Sequence, residues 1–186
     1  AGTTLSVTTG GGVDNVTMAA GGLANISLGA GADVLNLAAG GSNAITGGAG
    51  ADIFDFNSVS STLNTISDFD SLDSLSFDIV TSTAGTDVAA NAAAASLTDQ
   101  ATYVYANGGD GAGSTAITAY TTMSNVGTFL AAQFSDEAAN DEFVAVVNDL
   151  TTDTAYVYYV DYDLGNGANG AIDADAISLI ATISLT

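Results

Sequence analysis

The chain has 186 residues, of which 21 are acidic and none is Lys, Arg or His, so its formal net charge is −21. It contains no Cys, which excludes disulfides, zinc sites built from Cys or His, and nucleophilic catalysis by a Ser-His or Cys-His pair. Nucleic-acid binding is excluded because phosphate backbones are bound mainly through Lys and Arg. No apolar run is long enough to span a membrane, so we expect no membrane insertion.

Residues 1–28 predict the beginning of a solenoid. Residues 1–9 alternate Leu5 and Val7 with Ser and Thr, which is typical of a short strand. Residues 10–28 hold two degenerate coils whose predicted inward residues are Val16, Met18, Ile26 and Leu28. The chain begins with Ala1 rather than Met, which we interpret as the start of a processed chain or a fragment.

Residues 28–56 carry the most regular pattern of the chain. Residues 47–55 (GGAGADIFD) match the repeat G-G-x-G-x-D-x-U-x at each fixed position, where U is a large apolar residue. Residues 28–36 keep the central glycine, Gly31, and the aspartate, Asp33, whereas residues 38–46 have Asn43 in place of the aspartate. Glycine permits the tight turn, aspartate supplies a hard oxygen ligand, and the apolar residue faces the core.

The spacing of the aspartates predicts a carboxylate ladder. An interval of 19 residues separates Asp14 from Asp33 and also Asp33 from Asp52. This interval corresponds to one coil made of two repeat units. Residues one coil apart stack at roughly 4.8 Å, the distance between adjacent strands. Stacked carboxylates repel each other unless a cation lies between them. We therefore predict calcium at this edge, with ligands from Asp14, Asp33, Asp52, Gly31, Gly48 and Gly50.

The opposite edge predicts a carboxamide ladder. The interval from Asn25 to Asn43 is one position shorter than that of the aspartates, and stacked asparagines can bond each other without metal. We expect a weaker or empty cation site at Asn43. A glycine- and asparagine-rich solenoid that binds no metal is the alternative interpretation of the whole repeat region.

The segment that follows the repeats carries a family resemblance. Residues 66–77 (ISDFDSLDSLSF) have the form I-x-D-F-x-x-x-D-x-L-x-F. This segment, together with the nonapeptides, resembles the RTX-type (hemolysin-type) calcium-binding repeat proteins that are secreted by the type I route. The resemblance implies a calcium-bound parallel β-roll over residues 1–78, and it implies that Asp68 and Asp73 help to hold the last calcium. A polar turn between two strands is the alternative for this segment.

Residues 79–186 predict a small α+β unit with an antiparallel sheet. We expect a helix over residues 87–96 and a strand over residues 101–106. A second helix would be capped by Ser124, with an apolar face that includes Phe134. Residues 142–148 and 154–161 predict a hairpin, and residues 176–185 predict a last strand. The loop 161–175 is similar to an EF-hand loop but lacks its first and twelfth ligands, so a plain loop or a loose cation site is expected.

The order of these parts is similar to the C-terminal regions of RTX-type secreted proteins, among them bacterial surface-layer proteins. The resemblance implies an extracellular or cell-surface chain that folds when it meets calcium. We predict a structural protein that self-assembles into a layer or filament, with the end strands 3–7 and 176–185 pairing with a neighbouring subunit. The alternative is a C-terminal calcium-dependent secretion and folding module of a larger enzyme or adhesin.

No enzymatic activity is expected, although one acidic cluster contains possible carboxylate pairs. Residues 136–142 include Asp136, Glu137, Asp141 and Glu142, and a carboxylate pair suffices for glycoside hydrolysis. A solvated turn explains these residues equally well. The tyrosines of residues 156–162 predict cross-strand packing. Stacking on a cell-surface polysaccharide is the other role open to them.

Overall fold

The computed structural model describes residues 3–19, 22–37, 41–57, 63–79, 85–88, 95–96, 101–105, 117, 119–136, 141–162, 172 and 176–186. Within these ranges the chain is mainly β, as predicted, and contains one helix. It divides into two compact units. The first comprises Ala1–Ile79 with Ile180–Thr186, and the second comprises Val80–Leu179.

The first unit is a parallel β-solenoid, because successive strands alternate between two parallel sheets. One sheet has the order β1-β3-β5-β7-β15 and the other has the order β2-β4-β6-β8. The strands are β1 (Thr4–Thr8), β2 (Asn15–Met18), β3 (Leu23–Ala30), β4 (Val34–Leu37), β5 (Asn43–Ala49), β6 (Ile53–Phe56), β7 (Asn64–Phe69), β8 (Ser74–Phe77) and β15 (Ile177–Leu185). Each odd–even pair from β1–β2 to β7–β8 forms one coil.

Columns of apolar side chains fill the space between the two sheets. Ile26, Ile45 and Ile66 stack in register in one sheet, and all three are buried. In the facing sheet Leu35 and Phe54 stack in register and are fully buried. The repeat spacing produces this core, because a residue that faces inward is followed one repeat interval later by another at the same position. The step from Ile45 to Ile66 in the fourth coil is longer than the step from Ile26 to Ile45.

The last strand corrects one prediction. We expected residues 176–185 to be free to pair with a neighbouring subunit, but β15 pairs with β7 of the same chain. Ile183 stands opposite Ile66 and is 1% exposed, so it extends the apolar column by one further position. The N–H of Thr186 also donates to the carbonyl oxygen of Phe69 at 3.0 Å. Burial of Ile183 therefore fixes the strand within the first unit.

The second unit contains the predicted hairpin beside two parallel strands and one helix. Its sheet has the order β14-β13-β11-β9, in which β13 and β14 are antiparallel while β11 is parallel to both β13 and β9. A separate parallel pair is formed by β10 and β12. The elements are β9 (Gly85–Val88), β10 (Ala95–Ser96), β11 (Ala101–Tyr105), α1 (Met123–Ala131), β12 (Phe134–Asp136), β13 (Asp141–Asp149) and β14 (Thr154–Tyr162).

The two helix predictions had different outcomes. The prediction of a helix over residues 87–96 is wrong for the residues that the structure describes. Asp87 lies in β9 opposite Val104, and Ala95 lies in β10. Residues 89–94 are outside the described ranges. Strand pairing here overrides the helix propensity of alanine. The second helix is confirmed as α1, which buries Val126, Phe129 and Leu130.

The ends of α1 differ from the prediction. The residue before the first turn is Thr122 rather than Ser124, and it makes no side-chain capping bond. Phe134 lies in β12 rather than on the helix. The EF-hand-like loop falls largely on residues 163–171 and 173–175, which are outside the described ranges, so its cation role stays a prediction.

Candidate metal site on the aspartate edge of the solenoid

Four aspartates occupy equivalent positions in the four coils. Asp14 precedes β2, Asp33 precedes β4, Asp52 precedes β6 and Asp73 precedes β8. Each of them lies at the end of the turn that carries the chain from one sheet to the other. Their even spacing predicted the first three as one ladder. The resemblance associates Asp73 with the closing segment, and the structure shows it to be the fourth member of the same column.

One carboxylate oxygen of each stacked aspartate accepts a backbone hydrogen bond from the coil before it. The N–H of Asp14 donates to Asp33 Oδ1 at 2.8 Å, and the N–H of Asp33 donates to Asp52 Oδ1 at 3.0 Å. The N–H of Asp52 donates to Asp73 Oδ1 at 3.0 Å. The aspartate column therefore has a structural role in holding successive coils together.

The second oxygen has no such partner in the two central coils. Asp33 and Asp52 are 0% and 1% exposed, and their Oδ2 atoms are buried without any hydrogen-bond donor. A buried, unpaired carboxylate oxygen is costly. The pKa of Asp52 is accordingly raised, first by burial and then by the neighbouring carboxylates of Asp73, Asp33 and Asp68. Since the chain has no cationic side chain, only a bound cation or a proton can neutralise this edge.

Glycine carbonyl oxygens lie at the same edge. A Cβ placed on Gly31 would lie 1.9 Å from the carbonyl oxygen of Gly12 and 3.1 Å from Asp33 Oδ1. A Cβ on Gly50 would lie 1.7 Å from the carbonyl oxygen of Gly31. Both glycines have a positive φ, +150° and +141°, which turns the backbone sharply at this edge. Carboxylate and backbone carbonyl oxygens are the ligands that calcium takes in proteins.

This set of oxygen atoms fits a hard cation that is bound largely by backbone groups. The described residues contain no cluster of three or more acidic side chains placed to hold a metal. A bound ion would therefore use one or two carboxylates together with turn carbonyls. Asp33 and Asp52 would contribute carboxylate oxygens, and Gly12 and Gly31 would contribute carbonyl oxygens.

A second glycine column, which includes Gly48, lies beside the first. A Cβ on Gly48 would lie 1.8 Å from the carbonyl oxygen of Gly29, and a Cβ on Gly29 would lie 2.0 Å from that of Gly10. The predicted glycines Gly31, Gly48 and Gly50 thus all occupy positions where a side chain would strike the preceding coil. Their roles as calcium ligands stay predictions.

Asp68 and Asp73 close the solenoid with hydrogen bonds. The two oxygens of Asp68 accept the N–H groups of Gly47 and Gly48 at 2.9 and 2.8 Å. Asp73 Oδ2 accepts the N–H of Asp70 at 2.9 Å, in addition to the bond that Oδ1 accepts from Asp52. All four oxygens therefore bind backbone donors, and the calcium role that resemblance implied for these two residues stays a prediction.

The carboxamide ladder differs from the predicted one. Asn43 pairs in register with Ala24, whereas Asn25 stands opposite Ala44 and is exposed. A slip of one residue moves a side chain to the other face of a strand, so Asn25 and Asn43 cannot stack. Asn43 instead donates from Nδ2 to Asn64 Oδ1 at 2.8 Å, and Asn64 Nδ2 donates to the carbonyl oxygen of Ile180 at 3.2 Å.

The role of Asn64 is not predicted by the repeat period, because the step from the third coil to the fourth is longer than that period. Asn43 and Asn64 are both buried and bonded to each other, so this ladder is held without a cation. The predicted weaker metal site at Asn43 has no supporting contact and stays a prediction.

The tyrosine cluster packs within the second unit. Tyr158 is fully buried and donates from its hydroxyl to the carbonyl oxygen of Tyr120 at 2.7 Å. The rings of Tyr120 and Tyr156 stack with centroids 4.7 Å apart at an angle of 12°. Packing is therefore the role that the contacts show. In the acidic cluster, Asp136 ends β12 and Asp141 begins β13, while Glu137 lies outside the described residues.

Comparison of the chain with protein-family models, with curated proteins and with solved structures gave no match. In the part of the chain that the structure describes, no helix combines the length and the apolar character needed to cross a membrane. The strand pairing of the first unit shows a parallel β-solenoid that is compatible with an RTX-like roll.

Proposed function

We propose that this chain is an extracellular structural protein whose roll folds when it binds calcium and which then self-assembles into a surface layer or filament. The observation that carries the proposal is the pair of buried Oδ2 atoms of Asp33 and Asp52, which lack hydrogen-bond donors in a chain without cationic side chains.

Calcium is favoured over other cations by the ligands at this edge. The available atoms are carboxylate and backbone carbonyl oxygens, and calcium accepts about six to eight such oxygens in flexible geometry. Magnesium demands a near-ideal octahedron and keeps several waters, which suits a buried backbone turn poorly. Softer metals prefer thiolate or imidazole ligands, and the chain contains neither Cys nor His.

The extracellular location follows from the same requirement. Without a cation, the carboxylates of successive coils repel each other, and the net charge of −21 adds uncompensated repulsion throughout the chain. The roll would therefore stay unfolded where free calcium is scarce and fold where calcium is abundant. Such behaviour would suit export of an unfolded chain followed by folding outside.

The structural role is supported by the kind of surface that the roll presents. The outer face of the β1-β3-β5-β7 sheet carries small side chains in register, such as Ser6 opposite Asn25 and Thr46 within 3.2 Å of Ser67. Short polar side chains on this face would let neighbouring molecules approach closely. The same small residues leave few groups for chemistry.

A calcium titration followed by circular dichroism tests the folding step, and electron microscopy of the same samples tests assembly. We expect strand signal and ordered layers or filaments to appear with calcium, to be lost with a chelator, and to be absent with magnesium at the same concentration. Ordered assemblies that persist after calcium removal, or a calcium-folded chain that never assembles, would contradict the corresponding half of the proposal.

A further inference from the structure

We propose that Gly47 makes the third turn of the roll its strongest cation site, because the missing side chain leaves room for the carboxylate of Asp52 to hold the ion. Leu28 occupies the equivalent position in the second turn and makes that turn a weaker site. The third turn is defined here as residues 47–52, which run from the end of β5 towards β6, and the second turn as residues 28–33, which run from the end of β3 towards β4. This inference rests on the proposed function, because it ranks the cation sites through which the roll would fold.

Gly47 differs from its neighbouring glycines in what an added side chain would meet. A Cβ on Gly47 would lie 2.6 Å from Asp52 Oδ2 and 3.0 Å from the ring of Phe54. A Cβ on Gly48 or Gly50 would instead strike a backbone carbonyl oxygen of the preceding coil, at 1.8 and 1.7 Å. Those two glycines also have a positive φ, whereas Gly47 does not. The backbone therefore requires glycine at positions 48 and 50, while the carboxylate of Asp52 requires it at position 47.

The carboxylate of Asp52 has the surroundings of a cation ligand. The side chain is 1% exposed, and its Oδ1 accepts the N–H of Asp33 at 3.0 Å. Its Oδ2 is buried without a hydrogen-bond donor and lies beside Gly47. Calcium binds oxygen ligands at about 2.3–2.6 Å, so the carboxylate must keep its orientation to hold an ion. A methyl group on residue 47 would push this carboxylate aside.

The second turn has the same charge but less space. The pairing of β3 with β5 places Leu28 and Gly47 at equivalent positions, and Leu28 is fully buried. Asp33 corresponds to Asp52 and also has a buried, unpaired Oδ2. Since even a Cβ on Gly47 would meet the carboxylate of its own turn, the larger side chain of Leu28 restricts the carboxylate of Asp33 more strongly.

Negative charge is also concentrated at the third turn. Asp52 experiences the charges of three carboxylates, those of Asp73, Asp33 and Asp68. The next coil places Asp68 beside Gly47, where it accepts the N–H of Gly47 at 2.9 Å, whereas the residue that the next coil places beside Leu28 is Gly47 itself. The third turn therefore has a neighbouring carboxylate that the second turn lacks at this position. The attraction of a cation to the third turn is correspondingly stronger.

Urea unfolding of the full chain, over about a hundredfold range of free calcium, counts the ions released on unfolding, because each bound ion makes the stability rise with the logarithm of its concentration. We expect Gly47→Ala to release about one ion fewer than the wild type. A purely structural cost would lower the stability equally at every calcium concentration. Gly11→Ala is the matched control, since nothing lies closer than 3.8 Å to its Cβ position and its partner in the next coil, Ala30, is already alanine.

Asparagine variants of the two buried aspartates test the ranking without added bulk. Asp33→Asn and Asp52→Asn remove the same charge from side chains that are 0% and 1% exposed. We expect Asp52→Asn to raise the calcium midpoint of folding, followed by circular dichroism, at least about threefold more than Asp33→Asn does. Addition of Gly47→Ala to Asp52→Asn should leave the number of released ions unchanged, because Gly47 acts through that carboxylate.

The inference and the proposed function fail in distinguishable ways. An unchanged number of released ions in Gly47→Ala, or a midpoint for Asp33→Asn that equals or exceeds that of Asp52→Asn, overturns the inference and leaves calcium-dependent folding intact. If Gly47→Ala does not fold, the midpoints of the two asparagine variants still decide the ranking. A wild type whose stability does not depend on calcium contradicts the proposed function itself.

Discussion

At the residue scale, the two carboxylate oxygens of each central aspartate have opposite surroundings. Oδ1 of Asp33 and of Asp52 accepts a backbone N–H from the preceding coil, while Oδ2 is buried without a donor. One oxygen therefore stabilises the stack of coils, and the other carries a buried, unpaired charge that a cation or a proton could neutralise. Asparagine at either position keeps an oxygen acceptor but removes the charge.

We predict that Asp52→Asn raises the calcium concentration needed for half-folding by about tenfold or more, as expected when a group that supports a metal site is lost. The measurement is a calcium titration followed by circular dichroism. Asp153→Asn is the matched control, because it removes the same charge from an exposed turn position of positive φ that asparagine also tolerates. Equal midpoints for the two variants would show that Asp52 does not bind the ion.

The raised pKa of Asp52 predicts an unusual pH dependence in the absence of calcium. Between the unfolded value, about 3.9, and the higher folded pKa, the native state binds more protons than the unfolded state. The contribution of Asp52 to stability is therefore present at low pH and is lost as the pH rises through the folded pKa.

The strand signal in chelator, followed by circular dichroism as the pH is lowered, checks this sign, because protonation of the buried carboxylates can replace the missing cation. The difference between wild type and Asp52→Asn should favour the wild type at low pH and shift towards the variant as the pH rises. A difference that is constant with pH would refute the assignment of the raised pKa to Asp52.

At the element scale, the solenoid turns require glycine at particular positions. We predict that Gly50→Ala lowers the free energy of unfolding by at least about 3 kcal/mol, because alanine is strained at a φ of +141° and its Cβ would strike the carbonyl oxygen of Gly31. Gly10→Ala should change it by no more than about 0.5 kcal/mol, since nothing lies within 4 Å of that Cβ position. Urea unfolding in saturating calcium measures both, and similar losses would contradict the register of the coils.

The β13–β14 hairpin depends on one aspartate in its turn. The N–H and Oγ1 of Thr151 donate to Asp149 Oδ1 at 2.9 and 2.6 Å, and Thr152 Oγ1 donates to Oδ2 at 2.8 Å. The hydrogen bonds from Thr151, followed by the one from Thr152, lower the pKa of Asp149. Its contribution to stability is thus present above about pH 4 and is lost as the pH falls through the folded pKa, the opposite sign to Asp52.

We predict that Asp149→Ala lowers the free energy of unfolding by about 1–2 kcal/mol at neutral pH, because it removes these hydrogen bonds to a charged acceptor. Thr151→Val removes only the hydroxyl bond and should cost less. Urea unfolding at pH 7 and at pH 3 measures the effect, which should shrink at the lower pH. A loss that is equal at both pH values would contradict an ionised Asp149 as the acceptor.

The elements that the sequence predicted well are those in which each residue's role repeats. Val16, Leu35 and Phe54 recur at one spacing, so their stacking follows from the period alone. The hairpin of β13 and β14 follows from two runs rich in β-branched and aromatic residues that flank a polar turn. The strand at Asp87 and the pairing of β15 with β7 depend on partners elsewhere in the chain. Neither the helix or strand propensity of a segment nor the period of the repeats identifies such partners.

At the scale of the whole molecule, the sequence predicted the composition of the candidate site better than its extent. The spacing placed Asp14, Asp33 and Asp52 in one column, which the hydrogen bonds confirm for Asp33 and Asp52. It did not place Asp73 in that column or pair Asn43 with Asn64, because residues 57–63 lengthen the last step beyond the repeat interval. Longer connections break the register on which repeat-based reasoning depends.

The net charge of −21 also acts on the whole molecule. No side chain can neutralise the carboxylates, so the proposed dependence of folding and of assembly on cations would have a single electrostatic cause. If calcium folds the roll, the central coils should hold together at neutral pH only while a cation neutralises Asp33 and Asp52.

Hydrogen exchange followed by mass spectrometry, on the intact chain with calcium and after exhaustive dialysis against chelator, tests this requirement most directly. The peptides to follow cover residues 23–57, where the amides of Asp33 and Asp52 donate to the stacked carboxylates. We predict strong protection with calcium, loss of protection in chelator, and recovery when calcium is restored. Protection that is unchanged after calcium removal would contradict the account.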